Sequence, residues 1–258
     1  MKTLPALKPK SSIKYGDIVQ LGDHFLAYGD CRDVGLVGRL LKGQSVKLLL
    51  SDPPFGIACV ESKKAFNGGT KHKAIANDQL QTNDQYRQFT KEYLDVIKPY
   101  LIPKNAAYLF NADRMLRPML EGLEEADFHF AQLLIWVKSQ PVINRMDFLV
   151  QHELVIYGWY GKHEFLKSKD KSVLFFPKPA KSPLHPTMKP ISLLRSLILN
   201  STRMNDVIFD GFLGSGSTLI AAEQTRRRCF GCEIDLQYCQ IIIDRFEKLT
   251  GVKPKLIS

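Results

Sequence analysis

Asp210-Gly211-Phe212-Leu213-Gly214-Ser215-Gly216-Ser217-Thr218 stands between an apolar run, Val207 to Phe209, and a helical pattern that opens at Ser217. Gly211, Gly214 and Gly216 carry no Cβ, so the backbone can turn tightly there and approach a ligand closely. Strand, glycine turn and helix in that order place a ligand beyond the carboxyl end of a strand in an open α/β sheet. Glu233 closes the next strand, read as Arg228 to Ile234. A carboxylate at that place can accept hydrogen bonds from both hydroxyls of a ribose. Asp210, Phe212, Gly214, Ser215, Gly216, Ser217, Thr218, Glu233 and Ile234 are therefore candidate residues for a nucleoside cofactor. An NAD-type oxidoreductase is an alternative reading of the loop, although the turn lacks the full GxGxxG spacing of a dinucleotide site.

The alternation continues outward from the loop. Ile18 to Leu21 and Phe25 to Tyr28 read as short strands around Gly22-Asp23, Val34 to Leu41 as a helix, and Val46 to Leu50 as a buried strand. Tyr86, Phe89, Tyr93, Leu94 and Ile97 keep helical spacing, as does Arg114 to Leu123. Ala106 to Phe110, Leu133 to Val137 and Leu154 to Tyr157 read as strands. Pro190 suits the first turn of a helix with Ile191, Leu194, Leu197 and Ile198 on its apolar face. Tyr238, Ile241, Ile242 and Phe246 mark the last helix. Between Tyr160 and Pro183 the periodicity fails. Strands alternating with helices predict an open sheet covered on both faces, and 258 residues suit one such domain.

The strand at Val46 ends in Asp52-Pro53-Pro54-Phe55. Two successive prolines fix φ and remove two donors, and Pro54 holds Pro53 extended, so the Pro53 carbonyl is a rigid free acceptor. Asp52 adds a second acceptor and Phe55 a flat apolar face. The set suits an exocyclic amine on a nucleobase, whose lone pair is delocalised into the ring. Two acceptors on its N–H bonds draw the nitrogen toward tetrahedral geometry, and Phe55 can stack on a base turned out of the duplex. A surface turn is the bland reading of the four residues alone.

Taken together these segments resemble the β-class of amino-specific (N6-adenine/N4-cytosine) DNA methyltransferases, over roughly Val19 to Leu249. DPPF resembles that family's catalytic motif and DGFLGSGST its cofactor loop. Asp52 precedes Asp210, which is the circular permutation the family shows. Gly29-Asp30-Cys31 is similar to its N-terminal strand end, where the Asp approaches the cofactor adenine. His185-Pro186-Thr187-Met188-Lys189-Pro190 is similar to its HPTxKP segment, which implies that Thr187 and Lys189 bind the cofactor carboxylate end, beside a helix N-terminus. Ile135-Trp136-Val137-Lys138 also looks familial, with Trp136 open to a base-pocket or a core role. The resemblance implies a Rossmann-like, circularly permuted methyltransferase fold with a mixed, mostly parallel sheet. It implies S-adenosyl-L-methionine as cofactor, double-stranded DNA as partner, and methyl transfer to N6 of adenine. N4 of cytosine is the nearest alternative, although its enzymes more often carry Ser where Asp52 stands. A catalytically inactive DNA-binding relative is a further one. No Pro-Cys nucleophile motif supports C5-cytosine chemistry.

The formal net charge is +10, from Lys+Arg 36 against Asp+Glu 26, which favours a polyanionic partner. A loop around 56–78, with Lys63, Lys64, Lys71 and Lys73, is expected to be mobile and to contact DNA. The resemblance also implies a target-recognition insertion around 139–182, with Lys138, Lys167 and Lys169 as further phosphate contacts. Five cysteines without framework spacing point to a reducing, cytoplasmic setting. The Cys229/Cys232 pair lies within a strand and reads as buried apolar residues rather than zinc ligands, so no metal is expected. No apolar run approaches membrane-spanning length. A cognate restriction endonuclease and a homodimer are partners the resemblance allows.

Overall fold

The computed structural model describes residues 13–56, 80–142, 147–166, 170–177 and 188–257. Its elements run β1 (Ile18–Leu21), β2 (His24–Tyr28), α1 (Val34–Leu40), β3 (Val46–Ser51), α2 (Asn83–Ile97), β4 (Leu101–Asn111), α3 (Leu116–Glu125), β5 (Phe128–Val142) and β6 (Val150–Tyr160). Then follow β7 (Lys162–His163), β8 (Val173–Phe175), α4 (Ile191–Ser201), β9 (Val207–Asp210), α5 (Ser217–Gln224), β10 (Arg228–Glu233), α6 (Leu236–Thr250) and β11 (Lys255–Leu256). Polar side chains set several helix starts. Asp33 accepts from the Leu36 N–H at α1, Asp235 from the Gln237 N–H at α6, and Thr82 and Gln85 form a reciprocal capping box at α2.

One mixed sheet has the order β11-β1-β2-β10-β9-β3-β4-β6-β5-β8, with β7 beside β4. The central run β2-β10-β9-β3-β4 is parallel, and antiparallel pairs flank it on each side. Parallel strands covered on both faces must be apolar throughout, and every residue of β3 is buried. Leu48, Leu49 and Leu50 are each worth roughly 1.5–3 kcal/mol of burial. Their alternation feeds two cores. Leu48 and Leu50 pack with Leu194, Leu219 and Ile242 from α4, α5 and α6, whereas Leu49 packs with Leu36, Tyr86 and Met119 from α1, α2 and α3. The result is three layers, helix–sheet–helix. Among the described residues no helix is long and apolar enough to cross a membrane.

Cys229 belongs to one core and Cys232 to the other, as residues three apart in a strand must, so they face away from each other. Burial pushes both thiols up, well clear of thiolate formation. Trp136 also resolves to the core. Its ring is 1% exposed and its indole N–H donates to the Phe176 carbonyl at 2.8 Å.

The structure departs from the periodicity in two places. β4, β5 and β6 are much longer than their apolar runs, because cross-strand hydrogen bonds carry the pairing through polar residues such as His129, Gln132, His152 and Glu153. β7 and β8 lie in the stretch after Tyr160 where no pattern was expected. They are short strands whose pairing is supplied by β4 and β5.

Gly231 in β10 marks the closest backbone approach next to the cofactor loop. A Cβ there would stand 2.5 Å from the Asp210 carbonyl oxygen and 2.7 Å from Leu213 Cγ. Gly231→Ala should therefore destabilise the fold by about 1–3 kcal/mol, the usual cost of overpacking. Urea unfolding followed by circular dichroism would show it as a lower midpoint at unchanged slope.

Candidate active site

Strand register delivers the sequence motifs to one edge of the sheet. Gly231 pairs with Asp210, Glu233 with Tyr28, and Leu49 with Phe209. The Gly29 N–H donates to the Glu233 carbonyl at 2.9 Å, and the Gly211 N–H to Ser51 Oγ at 3.1 Å. The carboxyl ends of β2, β10, β9 and β3 thus stand side by side and present Asp30, Glu233, the Asp210 loop and Asp52 in that order. From β9 the chain crosses to β10 on one side, and from β3 to β4 on the other. Opposite departures from adjacent strands open a crevice, the usual ligand position in such sheets.

The glycine loop is held from below by carboxylates. Glu233 accepts from the Gly214 N–H at 2.7 Å with one oxygen and from the Asp235 N–H at 2.8 Å with the other. Burial outweighs those bonds and pushes its carboxyl up to about 8. Asp210 accepts from the Phe212 N–H at 3.0 Å and from the Thr218 hydroxyl, and burial lifts it to about 6. Gly216 takes φ 80°, a left-handed conformation that starts α5 and favours glycine. Arg245 donates to the Ser215 carbonyl and, at 3.2 Å, to Ser215 Oγ. The Ser217 hydroxyl is buried and makes no hydrogen bond among the described residues. An unpaired buried hydroxyl at a helix start, beside a carboxylate able to take ribose hydroxyls, fits a nucleoside cofactor.

The remaining cofactor candidates flank this loop. Asp30 is bound by Arg32 through its backbone N–H at 2.9 Å and its guanidinium at 2.7 Å. Burial alone would raise the Asp30 carboxyl, but the Arg32 contacts together hold it below the ordinary value. Cys31 is buried against Gly211, where a Cβ would meet its Sγ at 3.1 Å. Phe212 packs edge-on to Tyr93, with centroids 5.2 Å apart. Ile234 is half-buried just beyond Glu233.

At the end of β3 Pro53 is buried and Pro54 and Phe55 half-buried. Asp52 Oδ2 lies 2.5 Å from Lys189 Nζ, while Asp52 Oδ1 is buried with no hydrogen-bond partner among the described residues. Lys189 is 5% exposed, reaches Glu153 Oε2 at 3.0 Å, and lies over the rings of Phe110 and Phe55 at 4.9 and 5.6 Å. Burial raises the Asp52 carboxyl more than the Lys189 cation lowers it.

Lys189, expected at the cofactor carboxylate, pairs in this structure with Asp52 of the Asp-Pro-Pro-Phe segment. Lys138 likewise lies inside rather than on a DNA-facing surface: it is 5% exposed and pairs with Glu153 Oε1 at 2.9 Å. Thr187, Lys63, Lys64, Lys71, Lys73, Lys167 and Lys169 lie outside the described residues. Sequence reasoning missed Glu153. The one signal for it is an acid directly before the apolar run Leu154-Val155-Ile156.

The DNA methylase family model that covers N6 and N4 enzymes matches residues 46–244, and the chain belongs to that family. It is a DNA methyltransferase of the N6/N4 group, acts on DNA, and uses S-adenosyl-L-methionine as its family does. It is 23% identical over 229 residues to the type II methyltransferase M2.DpnII of Streptococcus pneumoniae, covering 80% of this chain and 84% of that protein. The crystal structure of the M1.HpyAVI-SAM complex superposes with a TM-score of 0.64 at 21% identity, over 85% of this chain and 97% of the other. The cytosine-N4-specific PvuII DNA methyltransferase superposes with 0.62 at 17% identity, over 88% and 89%. At those identities the superpositions speak for the fold alone.

Glu233 supplies a pH test. Its folded carboxyl titrates near 8 against an ordinary 4.5. Between those values the folded state holds a proton that the unfolded state has lost, so its contribution is present below 4.5 and is lost as pH rises through 8. In that window stability without cofactor should fall by about 1.4 kcal/mol per pH unit from this group. Glu233→Gln should flatten the dependence and also weaken S-adenosyl-L-methionine binding. Urea midpoints at several pH values and calorimetry read the two effects.

Proposed function

We propose that this chain is a site-specific DNA methyltransferase that transfers the methyl group of S-adenosyl-L-methionine to N6 of adenine. The observation that carries the reading is the Asp52 carboxylate. One oxygen is held by Lys189, and the other is a buried acceptor without a partner among the described residues, at a strand end beside the cofactor loop. A buried unpaired carboxylate oxygen is costly, and a ligand N–H would satisfy it. Asp52 and the Pro53 carbonyl would accept the two N–H bonds of the target amine, with Phe55 against the face of a flipped base. The amine lone pair localises as the nitrogen becomes tetrahedral, and the acceptors stabilise the positive charge that develops on it. The Lys189 cation favours the ionised form of Asp52 against the burial that opposes it. The cofactor supplies an electrophilic methyl. Glu233 would hold its ribose, Ser217 and Thr218 sit at the polar start of α5, and Asp30 lies toward its base.

Adenine is favoured over cytosine because Asp52 stands where N4-cytosine enzymes more often carry Ser. The matched family model covers N4 as well as N6 enzymes, which keeps N4 of cytosine as the second reading. Target recognition is assigned to the region around 139–182, within which β6 is a strand paired with both β4 and β5. A cognate endonuclease and a homodimer belong to this proposal as partners.

Reaction with defined duplex DNA, digestion and nucleoside mass spectrometry should reveal N6-methyldeoxyadenosine. N4-methyldeoxycytidine in its place would transfer the same site to the second reading. Asp52→Ala should lower the single-turnover rate about 10²–10³-fold with cofactor affinity retained. Phe55→Ala should instead weaken retention of the flipped base by about 1–3 kcal/mol, seen with 2-aminopurine at the target. A folded Asp52→Ala protein methylating at the wild-type rate would overturn the mechanism.

Binding should also weaken linearly in log affinity against log salt, since phosphate neutralisation releases counterions. Replacing Lys63, Lys64, Lys71 and Lys73 together should flatten that line in fluorescence-anisotropy titrations.

A further inference from the structure

A chain of four alternating charges runs from the β5–β6 pair to the end of β3. Lys138 Nζ lies 2.9 Å from Glu153 Oε1, Lys189 Nζ 3.0 Å from Glu153 Oε2, and Lys189 Nζ 2.5 Å from Asp52 Oδ2. The register explains the first contact. Glu153 pairs directly with Trp136, so Lys138, two residues along β5, shares its face of the sheet. Side-chain exposures along the chain are 5%, 16%, 5% and 25%.

Buried ion pairs are a poor source of stability. Desolvation cancels most of their attraction, and apolar replacements often serve as well. Stability therefore does not account for two lysines and two acids placed together under a catalytic strand end. Geometry supplies another role. Lys189 Nζ has two anionic neighbours, and the rings of Phe110 and Phe55 close its other sides. With Glu153 absent, the whole cation would turn to Asp52 and compete with the target amine for its carboxylate.

We propose that Glu153, anchored by Lys138, is a positioning residue for methyl transfer: it shares the Lys189 ammonium with Asp52 and so leaves Asp52 Oδ1 open to the target amine. The inference rests on the adenine-methyltransferase reading, since it needs Asp52 to act on the amine. Among the described residues the charged groups that face Asp52 are Lys189, Glu153 and Lys138, with Asp210 at the end of the neighbouring strand. Burial, Glu153 and Asp210 oppose ionisation of Asp52, and the two lysines favour it. Removing the Glu153 charge shifts that balance toward the carboxylate, and unanchoring Glu153 by removing Lys138 shifts it the other way.

The test is Glu153→Gln in the full chain, in single-turnover methylation of target duplex DNA at saturating cofactor across the pH range. The rate should fall about 10²-fold, the scale of a small misplacement at a reacting centre. Affinity for S-adenosyl-L-methionine should stay at the wild-type value, and the acid limb of the rate profile should move to lower pH. Glu153→Asp should recover part of the rate. An unchanged rate, or a lower rate with an unmoved acid limb, would overturn the proposal. If Glu153→Gln does not fold by circular dichroism, Lys138→Met decides: its acid limb should move to higher pH, and a wild-type profile overturns the proposal. Asp52→Asn separates the two layers of inference. Full activity there sinks the underlying mechanism, whereas an inactive Asp52→Asn beside a wild-type Glu153→Gln sinks the role of Glu153 alone.

Discussion

The parallel pairing of β3 with β9 places Ser51 against Gly211, 160 residues apart in the chain, with the Gly211 N–H donating to Ser51 Oγ. Everything at the site depends on that adjacency. β3 carries the Asp-Pro-Pro-Phe turn and β9 the glycine loop, and each strand alone would present its motif to solvent. The all-buried sequence of β3 secures the pairing, since such a strand is stable only with neighbours on both edges and helices on both faces. Because pairing is a matter of space and not of chain order, the catalytic strand can precede the cofactor strand without altering the crevice.

That edge concentrates negative charge. Asp30, Glu233, Asp210 and Asp52 arrive at four neighbouring strand ends. Burial lifts Glu233, Asp210 and, against the opposing Lys189 cation, Asp52 toward neutrality, whereas the Arg32 contacts hold Asp30 below its ordinary value. The fold therefore carries unfavourable desolvation where a ligand rich in hydroxyl and amine donors would relieve it, the usual opposition between stability and activity. Lys189 belongs to the same balance. The cation beside Asp52 favours its charged form against burial, and a second acid beside the cation divides its attraction.

Much of this was legible in the residues before any contact was known. The alternation of apolar runs with helical patterns determined an open α/β sheet, and strand–glycine–helix at Asp210 to Thr218 determined the cofactor end of it. Asp52-Pro53-Pro54-Phe55 stated its chemistry locally, because proline rigidity and the acceptor character of a carbonyl and a carboxylate need no partner elsewhere. Those are properties of short segments, and short segments keep them in any fold.

The tertiary structure decided what depends on approach across the chain. Lys189 and Asp52 are 137 residues apart, and the packing of α4 against β3 and β4 brings the Lys189 ammonium onto Asp52. Lys138 reads from the sequence as a phosphate contact beside the expected recognition region, whereas β5–β6 register turns it inward onto Glu153. Trp136 was equally readable as core or as pocket until the sheet buried it. Local chemistry names the groups able to react. The direction in which each side chain points is set by strand register and helix packing, and these are long-range consequences of burial that no single segment contains.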